Sequence, residues 1–301
     1  DDGRMFPVSD NSENIIRCFL DEVRRLKIEV QLNQSVKTIQ KENELWVLHT
    51  NTAKFQTHKL LIATGSNPKI WQMLEKLGHK IIPAVPSLFT FNIKDQRIKG
   101  LAGVSTGAIV KIRGKKLENY GPLLITHWGM SGPAILKLSA WGARDLSRLN
   151  YKFEIEVNWL PDFSEDDIME QLKSFKFTHS KQQIASYTKF ELPKRLWKSL
   201  VEASQISEGM TWATLNKKHL QDLAAQLNSS VFKVDGKSTF KEEFVTAGGV
   251  DLKEINFKKF ESKLQKDLFL AGEVLNIDAI TGGFNFQNAW TGGFLAAKAM
   301  S

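Results

Sequence analysis

The chain has 301 residues, 42% of them hydrophobic, with a formal net charge of +8 and a single cysteine. That is enough apolar sequence to bury a core over two domains, and no apolar run reaches the ~18 residues of a membrane helix, so a soluble protein with no membrane partner is expected. One cysteine excludes a disulfide framework and fits a reducing cytoplasm, while lysines scattered without a basic block argue against a nucleic-acid partner and support only non-specific attraction.

The amino terminus, Asp1-Asp2, is followed by a turn-like Gly3-Arg4-Met5-Phe6-Pro7. Ser9 to Ser12 supply N-cap chemistry, and Ile15, Ile16, Phe19, Leu20, Val23 and Leu26 follow at helical spacing, which predicts a helix packing one face on a sheet. Cys18 then falls on its apolar side as a buried, inert thiol. Residues 28–32, 36–40, 45–50 and 54–58 read as short strands, and 60–63 as a buried one ending at Thr64-Gly65. A short helix over 71–77 precedes Pro83 and Pro86, where a domain boundary is expected.

From residue 87 to 158 the pattern alternates, most clearly at Phe153, Ile155, Val157 and Trp159, which predicts half-buried antiparallel strands in a small barrel or sandwich. Within it Thr126-His127-Trp128-Gly129-Met130-Ser131-Gly132-Pro133 should open a helix over 134–146, with Ser131 as N-cap and Pro133 in the first turn. Further helices are predicted at 164–175, where Ser164 to Asp167 forms a capping box, at 193–203 and at 216–227. Lys194, Arg195 and Lys198 read as a solvated helix face. A strand at 231–234, turned by Asp235-Gly236-Lys237, leads back through residues 244–250.

The last segment carries the densest signal. A buried strand at 268–271 ends at Gly272 and Glu273, and nine residues later Gly282-Gly283 starts an amphipathic helix whose apolar side is Phe286, Ala289, Trp290, Phe294 and Ala297. Strand, acid, loop, double glycine and helix make a ligand cradle, in which free N–H groups and the positive helix end favour negative charge. The plainer readings are a surface glutamate in a turn and a glycine pair serving close packing. His127, a lone histidine before a glycine-rich turn, is more commonly a structural hydrogen-bonder than an acid or base. No Cys-x-x-Cys pair, no metal-ligand spacing and no G-x-S-x-G elbow occurs.

Five of these stretches, residues 3–7, 63–65, 126–133, 246–250 and 268–300, together resemble the BaiN-like (YhiN-type) family of NAD(P)/FAD-dependent oxidoreductases. The resemblance implies an α/β fold: an FAD-binding Rossmann-like domain of the two-dinucleotide-binding-domain type, carrying an inserted β-rich domain and a helical subdomain. The expected boundaries are 1–83 and 244–301 for the FAD-binding domain, 84–160 for the insert, and 161–243 for the helices and return strand. It also implies FAD as cofactor, NAD(P)H as electron donor and a small-molecule substrate, with reduction of an activated C=C bond as a reaction class; a flavin-binding or RNA-associated module without turnover is the alternative. Oligomeric state is not encoded in any of these motifs.

Arg4, Phe6, Pro7, Thr64, Gly65, Thr246, Gly248, Gly249, Gly272, Glu273, Thr281, Gly282, Gly283, Phe284 and Asn285 are then expected near the flavin. Glu273 would accept the ribityl hydroxyls, and the N–H groups after Gly283 would face the electron-rich edge of the ring. Proton delivery falls to His127 or Asp278. No G-x-G-x-x-G follows a strand, so the pyrophosphate-binding portion and any targeting signal are expected to precede residue 1, and the 301 residues alone are expected not to hold FAD tightly.

Overall fold

The computed structural model describes residues 5–186, 188, 190–238 and 245–301. It divides into two compact units, one of Asp1–Ile82, Gly248–Ile277 and Gly282–Ser301, the other of Pro83–Ala247 and Asp278–Thr281. Mixed α/β structure with several separate sheets results.

In the first unit, Val36–Glu42, Leu45–Thr50 and Lys54–Thr57 form an antiparallel meander. A four-stranded sheet runs Ile255–Asn256, Glu261–Ser262, Leu268–Leu270, Leu60–Ile62. Its last two strands are parallel, with Leu268 opposite Leu60 and Leu270 opposite Ile62. All three residues of Leu268–Leu270 are buried, as expected for a run without polar alternation. Ile62, Trp71, Leu74, Val250, Val274 and Ala296 pack around them. The helix Pro68–Lys76 starts where Pro68 follows the Asn67 cap, whose side chain accepts from the Lys69 N–H.

Three expectations fail in this unit. The helix Glu13–Arg25 forms, but none of its residues is buried; Ile16, Phe19 and Leu20 stay exposed. Its order is local, from surface pairs such as Arg17–Glu13 at 3.1 Å and Arg25–Glu22 at 2.6 Å. Cys18 is therefore exposed and not a core thiol. Residues 28–32 alternate like a strand yet form none, since no neighbouring strand pairs with them and Ile28, Val30 and Leu32 remain in solvent.

The second unit is organised by a seven-stranded antiparallel sheet in the order Ser230–Asp235, Lys152–Asn158, Ser105–Ile112, Glu118–Ile125, Gly129–Ser131, Thr90–Asn92, Lys237–Ser238. The two edge strands are consecutive in sequence, separated only by Gly236, so the chain passes directly from one edge of the sheet to the other. The Asn92 N–H donates to the Gly236 carbonyl at 3.1 Å. That continuity closes the sheet into a barrel and removes its free edges.

The helices Glu165–Thr178, Lys194–Ala203 and Lys217–Asn228 share the barrel's core: Phe91, Val110, Trp159 and Phe232 belong to the same buried cluster as Trp197 and Trp212. The expected capping box forms, Ser164 with Asp167, and a second, Asn216 with His219, opens the last of these helices. The helix expected over 134–146 is instead two, Pro133–Trp141 and Ala143–Arg148, broken at Gly142. Its cap is Gly132 and not Ser131, whose hydroxyl is taken by Thr90 Oγ1 at 3.0 Å.

Candidate functional site

Parallel pairing of Leu60–Ile62 with Leu268–Leu270 brings the carboxyl ends of both strands to one edge, with Thr64-Gly65 after one and Gly272-Glu273 after the other. Ligands of parallel α/β sheets sit outside such ends. The Ala271 N–H donates to the Ile62 carbonyl at 3.1 Å, holding the two exits together. Gly248-Gly249 arrives beside them: Val250 bridges to Leu275, and the Asn276 N–H donates to the Val250 carbonyl at 3.0 Å. Trp71 Nε1 donates to the Val274 carbonyl at 2.9 Å and fixes the turn Gly272–Val274 from behind.

The glycines here play different parts. Gly249 is buried at φ +125°, and a Cβ on it would lie 2.6 Å from the Val274 carbonyl oxygen and 2.8 Å from Leu275 C. The close approach it permits is to backbone. Gly283 caps the terminal helix Phe284–Met300 from the left-handed region, φ +85°, and nothing lies within 4 Å of the space a Cβ would fill. That helix end is therefore open, with no side chain capping its first N–H groups. Gly272 lies against the same helix, its would-be Cβ 3.7 Å from the Ala289 Cβ.

Glu273 is partly buried beside these exits, and desolvation pushes its carboxyl above the ordinary glutamate range. No hydrogen bond to that carboxylate occurs among the described residues. The terminal helix is rotated from the expected packing: it buries Gly292 and Ala296, whereas Phe286, Trp290 and Phe294 are exposed. Gly292 is what the sequence reading missed, since the Phe260 ring occupies the space a side chain there would need. Phe19 reaches Trp290, with ring centroids 6.4 Å apart. Of the amino-terminal candidates, Phe6 is exposed, Pro7 is half-buried, and Arg4 lies outside the described residues.

Thr246, Thr281, Asp278 and His127 belong to the second unit. Asp278 Oδ2 accepts a hydrogen bond from Ser87 Oγ at 2.9 Å. His127 lines a cleft of about 570 Å³ at the barrel, together with Lys94, Lys99 and Thr126; Asp278 does not. Gly129, in the same motif, is a packing glycine, for a Cβ there would run into the Phe91 carbonyl. Lys94 and Lys99 were not singled out from the sequence; their signal, two lysines flanking an Asp-Gln-Arg turn, becomes visible only with His127 across from them.

One further cluster resembles a catalytic relay. Buried His79 meets Glu254 Oε2 through Nδ1 at 2.8 Å and Ser262 Oγ through Nε2 at 3.1 Å. Ser262 Oγ already accepts from the Leu264 and Gln265 N–H groups and is nearly inaccessible, so its O–H donates to His79 and the three residues act as an internal clamp. Among the described residues no group of His, Cys, Asp and Glu is arranged to hold a metal, and no helix is long and apolar enough to cross a membrane.

Comparison with known proteins adds a family. The family described as HI0933-like protein barrel and H2TH domain matches residues 85–245. A 3-dehydro-bile acid delta(4,6)-reductase of Clostridium scindens is 26% identical, covering 99% of this chain and 75% of the relative. Two ribosomal RNA dihydrouridine synthases are similar to the same degree: that of Haemophilus influenzae is 28% identical, covering 99% of this chain and 75% of the relative, and that of Escherichia coli is 26% identical, covering 98% and 74%.

Proposed function

The chain belongs to the HI0933-like flavoprotein family, and from that membership we propose that it is an FAD-dependent oxidoreductase that saturates a carbon–carbon double bond conjugated to a carbonyl. The observation that carries the reading is the shared exit of the parallel strands Leu60–Ile62 and Leu268–Leu270, with Glu273 at that edge and an uncapped helix end after Gly283. A delta(4,6)-reductase and a dihydrouridine synthase both, by name, yield products with a double bond reduced, which supports the reaction class while leaving two very different substrates.

The residues present fit the flavin half of FAD. Open space beside Gly65 and Gly283 admits a flat ring, and Glu273, desolvated and without a protein partner among the described residues, is ready to accept sugar hydroxyls. The N–H groups of Phe284 and Asn285 begin a helix whose positive end favours the anionic edge of a reduced ring. Bound there, FAD would supply hydride chemistry, with NAD(P)H as the proposed electron source. The protein's own share is to orient the ring and to deliver a proton. His127, exposed in a cleft, is the more accessible proton donor, while Asp278 is engaged by Ser87.

Titrating FAD into the purified chain, followed by quenching of flavin fluorescence, tests the site. Saturable quenching of low affinity is expected, since no G-x-G-x-x-G turn for the pyrophosphate lies within these residues, and Glu273→Ala should weaken it about tenfold or more through loss of a charge-assisted hydrogen bond. Loss of flavin absorbance on adding NAD(P)H without oxygen distinguishes turnover from mere binding. No saturable response, or equal affinity in Glu273→Ala, overturns the assignment.

A further inference from the structure

The hairpin of Ile255–Asn256 and Glu261–Ser262 carries a bulky residue in a conformation that side chains disfavour. Phe260, just before the second strand, is buried with φ +55°, inside the left-handed region. Such a residue persists only where its surroundings over-determine it, and backbone strain of this kind collects where geometry is put to use. Its carbonyl accepts from the Leu270 N–H at 2.9 Å, and the Phe257 ring meets it edge-on with centroids 5.3 Å apart.

The ring is aimed at the terminal helix. A Cβ on Gly292 would lie 2.8 Å from Phe260 Cε1 and 3.0 Å from Cδ1, so the ring meets the helix where it has no side chain. Ala289, one turn earlier on the same face, rests against Gly272. The helix is thus seated on the Gly272 turn at one point and on the Phe260 ring at the next. A helix moves as a rod, so a change of seat at Gly292 reaches Phe284, roughly 12 Å away at the helical rise.

The hairpin that carries Phe260 is held in turn by His79. Glu254, which leads into the first strand, accepts from His79 Nδ1 at 2.8 Å and from the Lys80 N–H at 3.1 Å, while Ser262, in the second strand, donates to His79 Nε2 at 3.1 Å. The Lys263 N–H donates to the Glu254 carbonyl at 2.8 Å, and Gln265 Nε2 donates to the Leu77 carbonyl at 2.8 Å. Both strands are therefore fixed to the loop that follows the helix Pro68–Lys76. A buried network with both ring nitrogens satisfied is rigid, and one imidazole sets the base of the hairpin from two sides.

We propose that His79 is a positioning residue: with Glu254 and Ser262 it holds Phe260 as the stop on which Gly292 rests, and so fixes the direction of the open helix end after Gly283. The inference rests on the proposed flavin reading for what that helix end serves. The coupling from His79 to the helix is a property of the flavin-free protein.

Backbone amide chemical shifts of the flavin-free chain test the coupling. Gly292→Ala sets a methyl against the ring and should displace the resonances of Phe284 to Gln287, the first turn of the helix, as well as those beside residue 292. Adding Phe260→Leu makes room for that methyl, and the double variant should bring the first-turn resonances back. Phe260→Leu alone withdraws the stop without a clash and should also move them, which keeps the test open if Gly292→Ala does not fold. Glu254→Ala removes the partner of His79 and should displace the same first turn, whereas Glu254→Gln keeps an acceptor and should not. FAD affinity should follow the resonances, falling about tenfold in the displaced variants, the equivalent of one hydrogen bond to a charged group, and recovering in the compensated ones.

Displacements of the first turn that recover in the double variant and are absent from Glu254→Gln support the proposal. Displacements confined to the neighbourhood of residues 260 and 292, effects that simply add in the double variant, or a first turn unmoved by Glu254→Ala each overturns it. The flavin reading is judged separately. Absence of saturable FAD quenching by the unaltered chain sinks that reading, while the flavin-free resonances still decide whether His79 sets the helix. An FAD affinity that ignores variants whose first turn has moved overturns the positioning role and leaves the flavin site standing.

Discussion

Glu273, the proposed hydroxyl acceptor, is a partly buried carboxylate that lowers stability. Desolvation raises its carboxyl in the fold, so between the unfolded and folded values the native state holds more protons, and stability falls as pH rises through that window. Glu273→Gln should therefore be the more stable protein at neutral pH, with the difference closing as pH falls below about 4, near the ordinary glutamate value. Urea midpoints of both proteins across that range check the sign; a difference that persists in acid would mean that charge burial is not its cause. The two conspicuous glycines should respond unequally. Gly249→Ala drives a Cβ into the Val274 and Leu275 backbone and should cost about 3 kcal/mol or more, whereas Gly283→Ala meets open space and only the left-handed backbone penalty, about 1–2 kcal/mol. Denaturant unfolding of flavin-free protein measures both, and the order of the two is the prediction.

Among the elements, two helices with apolar faces behave differently because only one has a partner. Glu165–Thr178 buries Ile168 and Leu172 and starts with a formed capping box, so Ser164→Ala should cost about 1 kcal/mol, read as a lowered thermal midpoint. Glu13–Arg25 has the stronger apolar stripe and buries nothing, so Phe19→Ser should change stability by no more than about 0.5 kcal/mol while reducing the fluorescence of a hydrophobic dye. The terminal helix follows the same logic. Gly292, set against the ring of Phe260, turns its small-residue side inward and leaves Phe286, Trp290 and Phe294 in solvent. Periodicity identifies a helix and its stripe, but the facing surface decides which stripe is buried.

For the whole molecule, the second unit is a nearly continuous stretch with its own closed sheet and its own core, and residues 83–247 alone should fold cooperatively. A single sharp transition in circular dichroism and dispersed amide resonances are expected from that fragment; a non-cooperative melt would show that the barrel needs the rest of the chain. Local chemistry was legible in the sequence: the capping box at Ser164, the alternation of Lys152–Asn158, the buried run Leu268–Leu270 and the glycine before the last helix all depend on neighbours a few residues away. What was not legible depends on partners distant in the chain. The parallel match of Leu60 with Leu268, the passage through Gly236 that closes the barrel, the solvent exposure of Phe19 and Cys18, and the meeting of Lys94 and Lys99 with His127 are set by which surfaces meet. Hydrogen-bond caps and strand alternation are encoded within one or two turns of chain, whereas burial and charge clustering are properties of contacts between elements, and those exist only once the tertiary structure has formed.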